Sequence, residues 1–262
     1  MILVIDIGNT STMTGLYHKG EIHAHFKMLS KNEQDLSLIK DEAAIASKLR
    51  TFIASNQVTE EQLNGIAVCS VVPGLTDVYR DIMKKHFGIE AWLLDHGSDL
   101  GLKVAVEQPA QAGADRLANA VAAKFLYGYP AIVVDLGTST NFDVVNQHGD
   151  YVGGAIAPGV KTSSLELFRR ASRLFPVEIE KPLKAIGRNT EEAMKSGIFF
   201  GSLGLIDHIL SLIIAELDHP DIKIIATGGY ASLFASESQY IQSVDTTLTL
   251  KGIALAYERN MK

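Results

Sequence analysis

Two short stretches carry residues suited to phosphate chemistry. Asp6-Ile7-Gly8-Asn9-Thr10-Ser11-Thr12 follows one apolar run, and Asp135-Leu136-Gly137-Thr138-Ser139-Thr140 follows another, about half the chain later. Both read apolar strand, Asp, apolar residue, Gly, then a hydroxyl-rich turn. Glycine lets backbone N–H groups approach a phosphate with no side chain in the way, and Ser and Thr hydroxyls add donors. An aspartate repels phosphate. Its natural place in such a turn is to hold a cation, or that cation's water, which bridges to the phosphate oxygens. One such turn alone reads as a hairpin with a solvated acid; the pair favours phosphate binding. A third stretch, Ile224-Ile225-Ala226-Thr227-Gly228-Gly229, ends an apolar run in a turn small enough for a purine and ribose to lie against its backbone.

Asp115 is the acid best placed for proton transfer. An alcohol is a weak nucleophile, and a carboxylate set against its proton helps it attack. Asp115 stands at the head of a helical pattern, where the helix dipole favours the ionised form. Arg116 beside it can hold a carboxylate or phosphate through two N–H groups. The competing reading is a first-turn helix acid and a surface ion pair, with no chemistry.

The elements that must position these residues alternate. Apolar runs predict strands over 2–5, 13–17, 65–72, 131–135, 142–145 and 222–226. Four-residue spacing of Leu117, Val121 and Phe125 predicts a helix over 114–127, with those three on one face. A second helix is predicted over 191–217, capped by Asn189 or Thr190 and with two acids in its first turn. The alternation indicates an α/β architecture. The repeated turn implies two similar domains. Residues 1–112 carry the first phosphate loop. Residues 113–262 carry the second loop and the glycine-rich turn at 228–229.

Composition bounds the function. A chain of 262 residues suffices for one large domain or two modest ones. The net charge of -6, with no Lys/Arg cluster, argues against a nucleic-acid partner. Arg169, Arg170 and Arg173 read as a solvated helix face, and Lys161 as a surface lysine. The single cysteine, Cys69, excludes an internal disulfide and sits in an apolar run, as a core thiol does. Trp92 reads as packing. His23 and His25 share a strand face, but two histidines make no metal site. The first residues lack a signal-peptide pattern, and the apolar run over 209–215 is short and flanked by Asp207, His208 and Glu216. No apolar run of membrane-spanning length is expected, so the reading is a cytoplasmic protein with no membrane partner.

The order of the three turns resembles the actin, hexokinase and Hsp70 superfamily. Four further segments narrow the likeness: Ser70-Val71-Val72-Pro73, Gly113-Ala114-Asp115-Arg116, Gly153-Gly154-Ala155-Ile156-Ala157-Pro158-Gly159 and Gly187-Arg188-Asn189-Thr190. With them the chain resembles the type III pantothenate kinases along nearly its whole length. The resemblance implies an α/β fold of two actin-like (ribonuclease H-like) domains, each a mixed sheet covered by helices. It implies ATP-dependent phosphorylation of pantothenate to 4'-phosphopantothenate, the first step of coenzyme A biosynthesis. It further implies Mg²⁺ with the ATP, a monovalent cation (K⁺ or NH₄⁺), and a homodimer.

Carried over by motif, the ATP contacts are Asp6, Ile7, Gly8, Asn9, Thr10, Ser11, Thr12, Met13, Thr138, Gly228 and Gly229. Asp135 holds the monovalent cation, and Asp6 holds Mg²⁺ through water. Asp115 is the catalytic base. Gly113, Ala114, Asp115 and Arg116 form the pantothenate turn, and Thr190 reaches pantothenate from the neighbouring subunit. The chain departs from the family's pattern at Val106-Glu107-Gln108-Pro109, where Tyr-x-Asn-Pro is usual. Val106 replaces a tyrosine that touches substrate, so that contact is missing or comes from Gln108 or Tyr127. Gln111 replaces an acid, Asn141 a threonine and Ser11 an asparagine. Two other readings remain. One is a kinase of another small alcohol, favoured by Val106. The other is a non-catalytic regulatory relative, against which the presence of Asp6, Asp115 and Asp135 tells.

Overall fold

Residues 2–7 are apolar but for Asp6, which suits a strand covered on both faces. The computed structural model describes residues 1–32 and 37–261, and in it this segment is β1 (Ile2–Ile7), the middle strand of a five-stranded sheet. β2 (Ser11–His18) and β3 (Glu21–Leu29) follow as antiparallel neighbours. α1 (Glu42–Ser55) starts at Asp41, whose side chain accepts the Ala44 N–H at 2.9 Å. β4 (Gly65–Ser70) pairs parallel to β1. α2 (Pro73–Phe87) opens on a proline and stops at Gly88, which takes the left-handed conformation at φ 66°. β5 (Trp92–Leu93) completes the sheet in the order β3-β2-β1-β4-β5, and α3 (Ala114–Ala122) follows.

The same construction then recurs. β6 (Ala131–Leu136), β7 (Ser139–Val145) and β8 (Tyr151–Pro158) run antiparallel, and α4 (Val160–Arg170) and α5 (Thr190–Leu217) come next. β9 (Lys223–Thr227) pairs parallel to β6. α6 (Ala231–Ala235), β10 (Ser243–Val244) and α7 (Leu248–Asn260) end the chain. The second sheet, β10-β9-β6-β7-β8, is the first one's order read from the other edge. The sequence repeat is thus a repeated mixed sheet with helices, the α/β architecture in two similar halves that was expected.

The two compact units are Met1–Leu126 with Thr247–Lys262, and Tyr127–Thr246. This displaces the division expected at 112/113. α3 stays with the first sheet and α7 returns to it. Close packing is the reason. Leu117, Ala118, Ala120 and Val121 of α3 are fully buried, and a Cβ added at Gly252 of α7 would collide with the Ala118 backbone. Tyr257 covers Gly65 of β4, and Tyr17 of β2 donates to Glu258 at 3.1 Å.

Strand alternation sorts the first sheet's side chains. Leu3, Ile5, Ile7, Ile66 and Val68 join the core with α1 and α2. Asp6 and its register partner Cys69 point to the opposite face, on the side of α3 and α7. The helix predicted over 114–127 changes to a π-type turn over Ala123–Tyr127. The wider turn rotates Phe125 off the buried stripe, leaving it 43% exposed beneath the Arg259 guanidinium, 5.3 Å from its ring centre.

α5 corrects one expectation. By length and composition it is apolar enough to cross a membrane, and most of its apolar stretch is not buried within the chain. The helix itself was expected, but its apolar run was bounded at Asp207 and His208, whereas the apolar residues continue on both sides of that pair. The core helix of a globular protein can share that length and composition.

Candidate active site

Between β1 and β2 the chain reverses through Gly8, Asn9 and Thr10. The Gly8 N–H donates to the Ser11 carbonyl at 3.1 Å, and a Cβ at Gly8 would stand 3.0 Å from that oxygen, so glycine keeps the turn this tight. Asn9 and Thr10 are exposed. The Ser30 N–H donates to the Thr10 carbonyl at 3.0 Å and ties the turn to the end of β3. Asp6 is half-buried and lies in register with Cys69, whose buried thiol donates to its carboxylate. Burial pushes the Cys69 thiol well up from its ordinary range, and the charges of Asp6 and Asp115 push it further. The first turn and Asp115 therefore gather about one thiol.

Asp115 lies in the first turn of α3, half-buried. Its Oδ1 accepts the Arg116 N–H at 2.8 Å, and a Cβ at Gly113 would come within 2.5 Å of the same oxygen. Gly113 is what makes room for the carboxylate. Burial raises the Asp115 carboxyl above its usual range; the Arg116 N–H and guanidinium draw it partly back. A raised carboxylate is a stronger base once ionised. Val106 is half-buried in the approach to this helix. The two groups named as substitutes for a tyrosine there are otherwise engaged. The Gln111 amide donates to Gln108 across the short turn Pro109–Gln111, and the Tyr127 hydroxyl donates to Asp245 at 3.2 Å, both in the second unit.

In the second unit Asp135 stands opposite Asn141 of β7 and Thr227 of β9. A Cβ at Gly228 would lie 2.6 Å from Asp135 Oδ1, and one at Gly137 would lie 3.4 Å from it. Two glycine turns thus cradle the carboxylate, and Gly228 takes φ 90° to do so. Thr138 is exposed. Its carbonyl accepts the Thr162 hydroxyl at 2.7 Å, and Gly159 packs on it too closely for any side chain. The start of α4 therefore rests on the second turn. Gly229 has open space where a Cβ would be. Thr190 opens α5, fixed by Asn189, which accepts the Glu192 N–H at 2.9 Å, and by Glu192, which accepts the Arg188 N–H at 2.8 Å. It lines a cavity of about 610 Å³ between α4 and α5, with Thr140, Met194 and Leu205.

Two of the expected ATP contacts face elsewhere. Ile7 and Thr12 are fully buried on the α1/α2 side, and Thr12 Oγ1 lies 3.0 Å from Ser30 Oγ. Sequence reasoning missed Cys69 and Ser30 as neighbours of the first turn, because strand register is not written in either segment. Among the described residues no three His, Cys, Asp or Glu side chains gather as a metal centre. A single carboxylate at a turn suits Mg²⁺ or a monovalent ion that completes its shell with phosphate oxygens and water.

The model of the type III pantothenate kinase family matches residues 2–212. The chain belongs to the type III pantothenate kinases. Such an enzyme from Acidobacterium capsulatum is 41% identical over 264 residues, covering 98% of this chain and 94% of the relative. The type III pantothenate kinase of Halalkalibacterium halodurans is 39% identical over the full length of both. A solved structure, a conserved putative Baf family transcriptional activator from Campylobacter jejuni, superposes with a TM-score of 0.59 over 99% of this chain and 98% of that one. At 19% identity that likeness speaks for the fold alone. As a type III pantothenate kinase the chain is an enzyme, a phosphotransferase acting on pantothenate on the way to coenzyme A, and a kinase family implies ATP with Mg²⁺.

Proposed function

We propose that this kinase passes the terminal phosphoryl group of ATP to the primary hydroxyl of pantothenate with Asp115 as general base. The setting of Asp115 carries the reading: it is half-buried at the start of α3, grouped with Asp6 about Cys69, and its carboxyl is pushed up by burial. The carboxylate takes the hydroxyl proton as the oxygen attacks. Gly113, Ala114 and Arg116, with Val106, orient the acceptor. Backbone N–H groups over 9–11 and the Thr138 hydroxyl hold phosphate oxygens, and Gly228 and Gly229 leave room for adenosine. Mg²⁺, when bound, neutralises phosphate charge; Asp6 would hold it through water, with the Cys69 thiol fixing the carboxylate. Asp135 in its glycine cradle would hold K⁺ or NH₄⁺. Most of the rate gain is positioning and charge neutralisation.

The reading includes a cytoplasmic homodimer. α5 carries Leu212 52% exposed, and nothing meets a Cβ at Gly197, Gly201 or Gly204. Nearby in sequence, Leu183 and Ile186 stand almost bare. A second copy covers such a face best, and Thr190 at its end then reaches the partner's pantothenate. Val106 favours one further reading, a less polar alcohol as acceptor.

Asp115→Asn tests the proposal. It should lower kcat roughly 10²-fold or more while ATP binding and melting temperature hold. The wild-type kcat should fall as pH drops through the Asp115 pKa, where the base becomes protonated. Because burial raises that pKa, the acid limb stands at higher pH than for a solvated aspartate. Near-normal turnover in Asp115→Asn removes this residue from the mechanism.

A further inference from the structure

We infer that Ser30 and Thr12 are positioning residues for the first phosphate turn, joined with Tyr79 in a chain of buried hydroxyls beneath it. The inference rests on the reading of residues 6–13 as the ATP turn. Thr12 is fully buried and Ser30 and Tyr79 are each 2% exposed, among the side chains of Ile5, Ile7, Met28 and Leu75. Thr12 Oγ1 and Ser30 Oγ are 3.0 Å apart, and the Tyr79 hydroxyl hydrogen-bonds Thr12. Apolar residues of the same shape would fill this space without desolvating three hydroxyls, and such paired replacement is often nearly neutral for stability. Stability alone therefore does not account for the chain.

Ser30 explains what the chain holds. Its N–H donates to the Thr10 carbonyl at 3.0 Å, and its own carbonyl accepts the Ile39 N–H at 3.0 Å. A trans peptide is planar, with C=O and N–H pointing opposite ways. Drawing the Thr10 carbonyl towards Ser30 therefore aims the Ser11 N–H away from β3, to the Gly8 side of the turn, and so sets which way one of the N–H groups assigned to phosphate faces. The Ser30–Thr12 bond fixes Ser30 against β2, and Tyr79 extends the brace to α2.

The test uses the full-length enzyme and steady-state kinetics with ATP and pantothenate. Ser30→Ala should raise the ATP KM by about 2- to 10-fold, the scale of one lost neutral hydrogen bond, with the pantothenate KM and kcat at saturating ATP little changed. Ser30→Thr, which keeps the hydroxyl, should restore most of the loss. Thr12→Val should lose at least as much as Ser30→Ala, since it breaks the Tyr79 bond as well, and the double variant should lose no more than Thr12→Val alone, because both remove the Thr12–Ser30 bond. Additive losses would mean Thr12 touches ATP itself and would overturn the brace. So would variants that melt earlier yet keep a wild-type ATP KM, which marks a purely structural role. Asp6→Asn separates the two levels. If it weakens ATP while Ser30→Ala does not, the brace is wrong and the ATP turn stands. If Asp6→Asn leaves the ATP KM unchanged, the ATP turn itself is misplaced.

Discussion

Gly228 and Gly229 are neighbours in sequence with opposite surroundings, and alanine at each should do opposite things. At Gly228 the backbone holds φ 90°, where an L residue is strained by about 1–2 kcal/mol. The new Cβ would also come within 2.6 Å of Asp135 Oδ1 and 2.7 Å of the Leu136 carbonyl, an overpacking worth about 1–3 kcal/mol. A stiffer unfolded chain offsets about 0.4–1 kcal/mol. The net loss is about 1–4.6 kcal/mol. At a urea slope of about 2 kcal/mol/M, the midpoint should drop by about 0.5–2 M. Gly229→Ala meets nothing within 4 Å, and its stability should stay within about 0.5 kcal/mol of wild type. Its Cβ would instead enter the space proposed for adenosine and raise the ATP KM. Urea titration by circular dichroism, with ATP kinetics on the same samples, separates the two effects. Equal urea midpoints for Gly228→Ala and wild type would refute the cradle around Asp135. An unchanged ATP KM in Gly229→Ala would refute the adenosine assignment.

Three further outcomes are expected. Wild-type turnover should rise with K⁺ or NH₄⁺ over Na⁺, and Asp135→Ala should lose that preference; a K⁺ response that survives moves the cation site elsewhere. Mixing inactive Asp115→Asn with inactive Thr190→Arg should regain activity if sites are completed by a partner copy, and verified subunit exchange without recovery removes that idea. Val106→Tyr should lower the pantothenate KM by about 2- to 12-fold at similar kcat if the pocket lacks only one hydrogen bond. A folded but inactive variant would mean other groups fill the space beside Val106.

The residues proposed to do chemistry were legible because turn chemistry is local. Asp, Gly and hydroxyl residues after an apolar run have the same uses wherever the run lies, so both Asp-x-Gly turns, their repeat and the candidate base Asp115 could be picked out directly. The helix over 191–217 was equally plain, with its cap narrowed to Asn189 or Thr190, since capping needs only the next few residues; the structure settles on Asn189. Tertiary packing decided what depends on register and burial. Parallel pairing of β1 with β4 set Cys69 beside Asp6, though 63 positions separate them, and alternation turned Thr12 into the core while Asp6 faced α3. The π-type turn moved Phe125 off its expected face. Most of all, the membership of α3 and α7 followed from a glycine at 252 that lets two helices close on each other, so the chain's last helix folds with its first strand. No local pattern encodes that choice, because the gain comes from area buried between segments far apart in the chain.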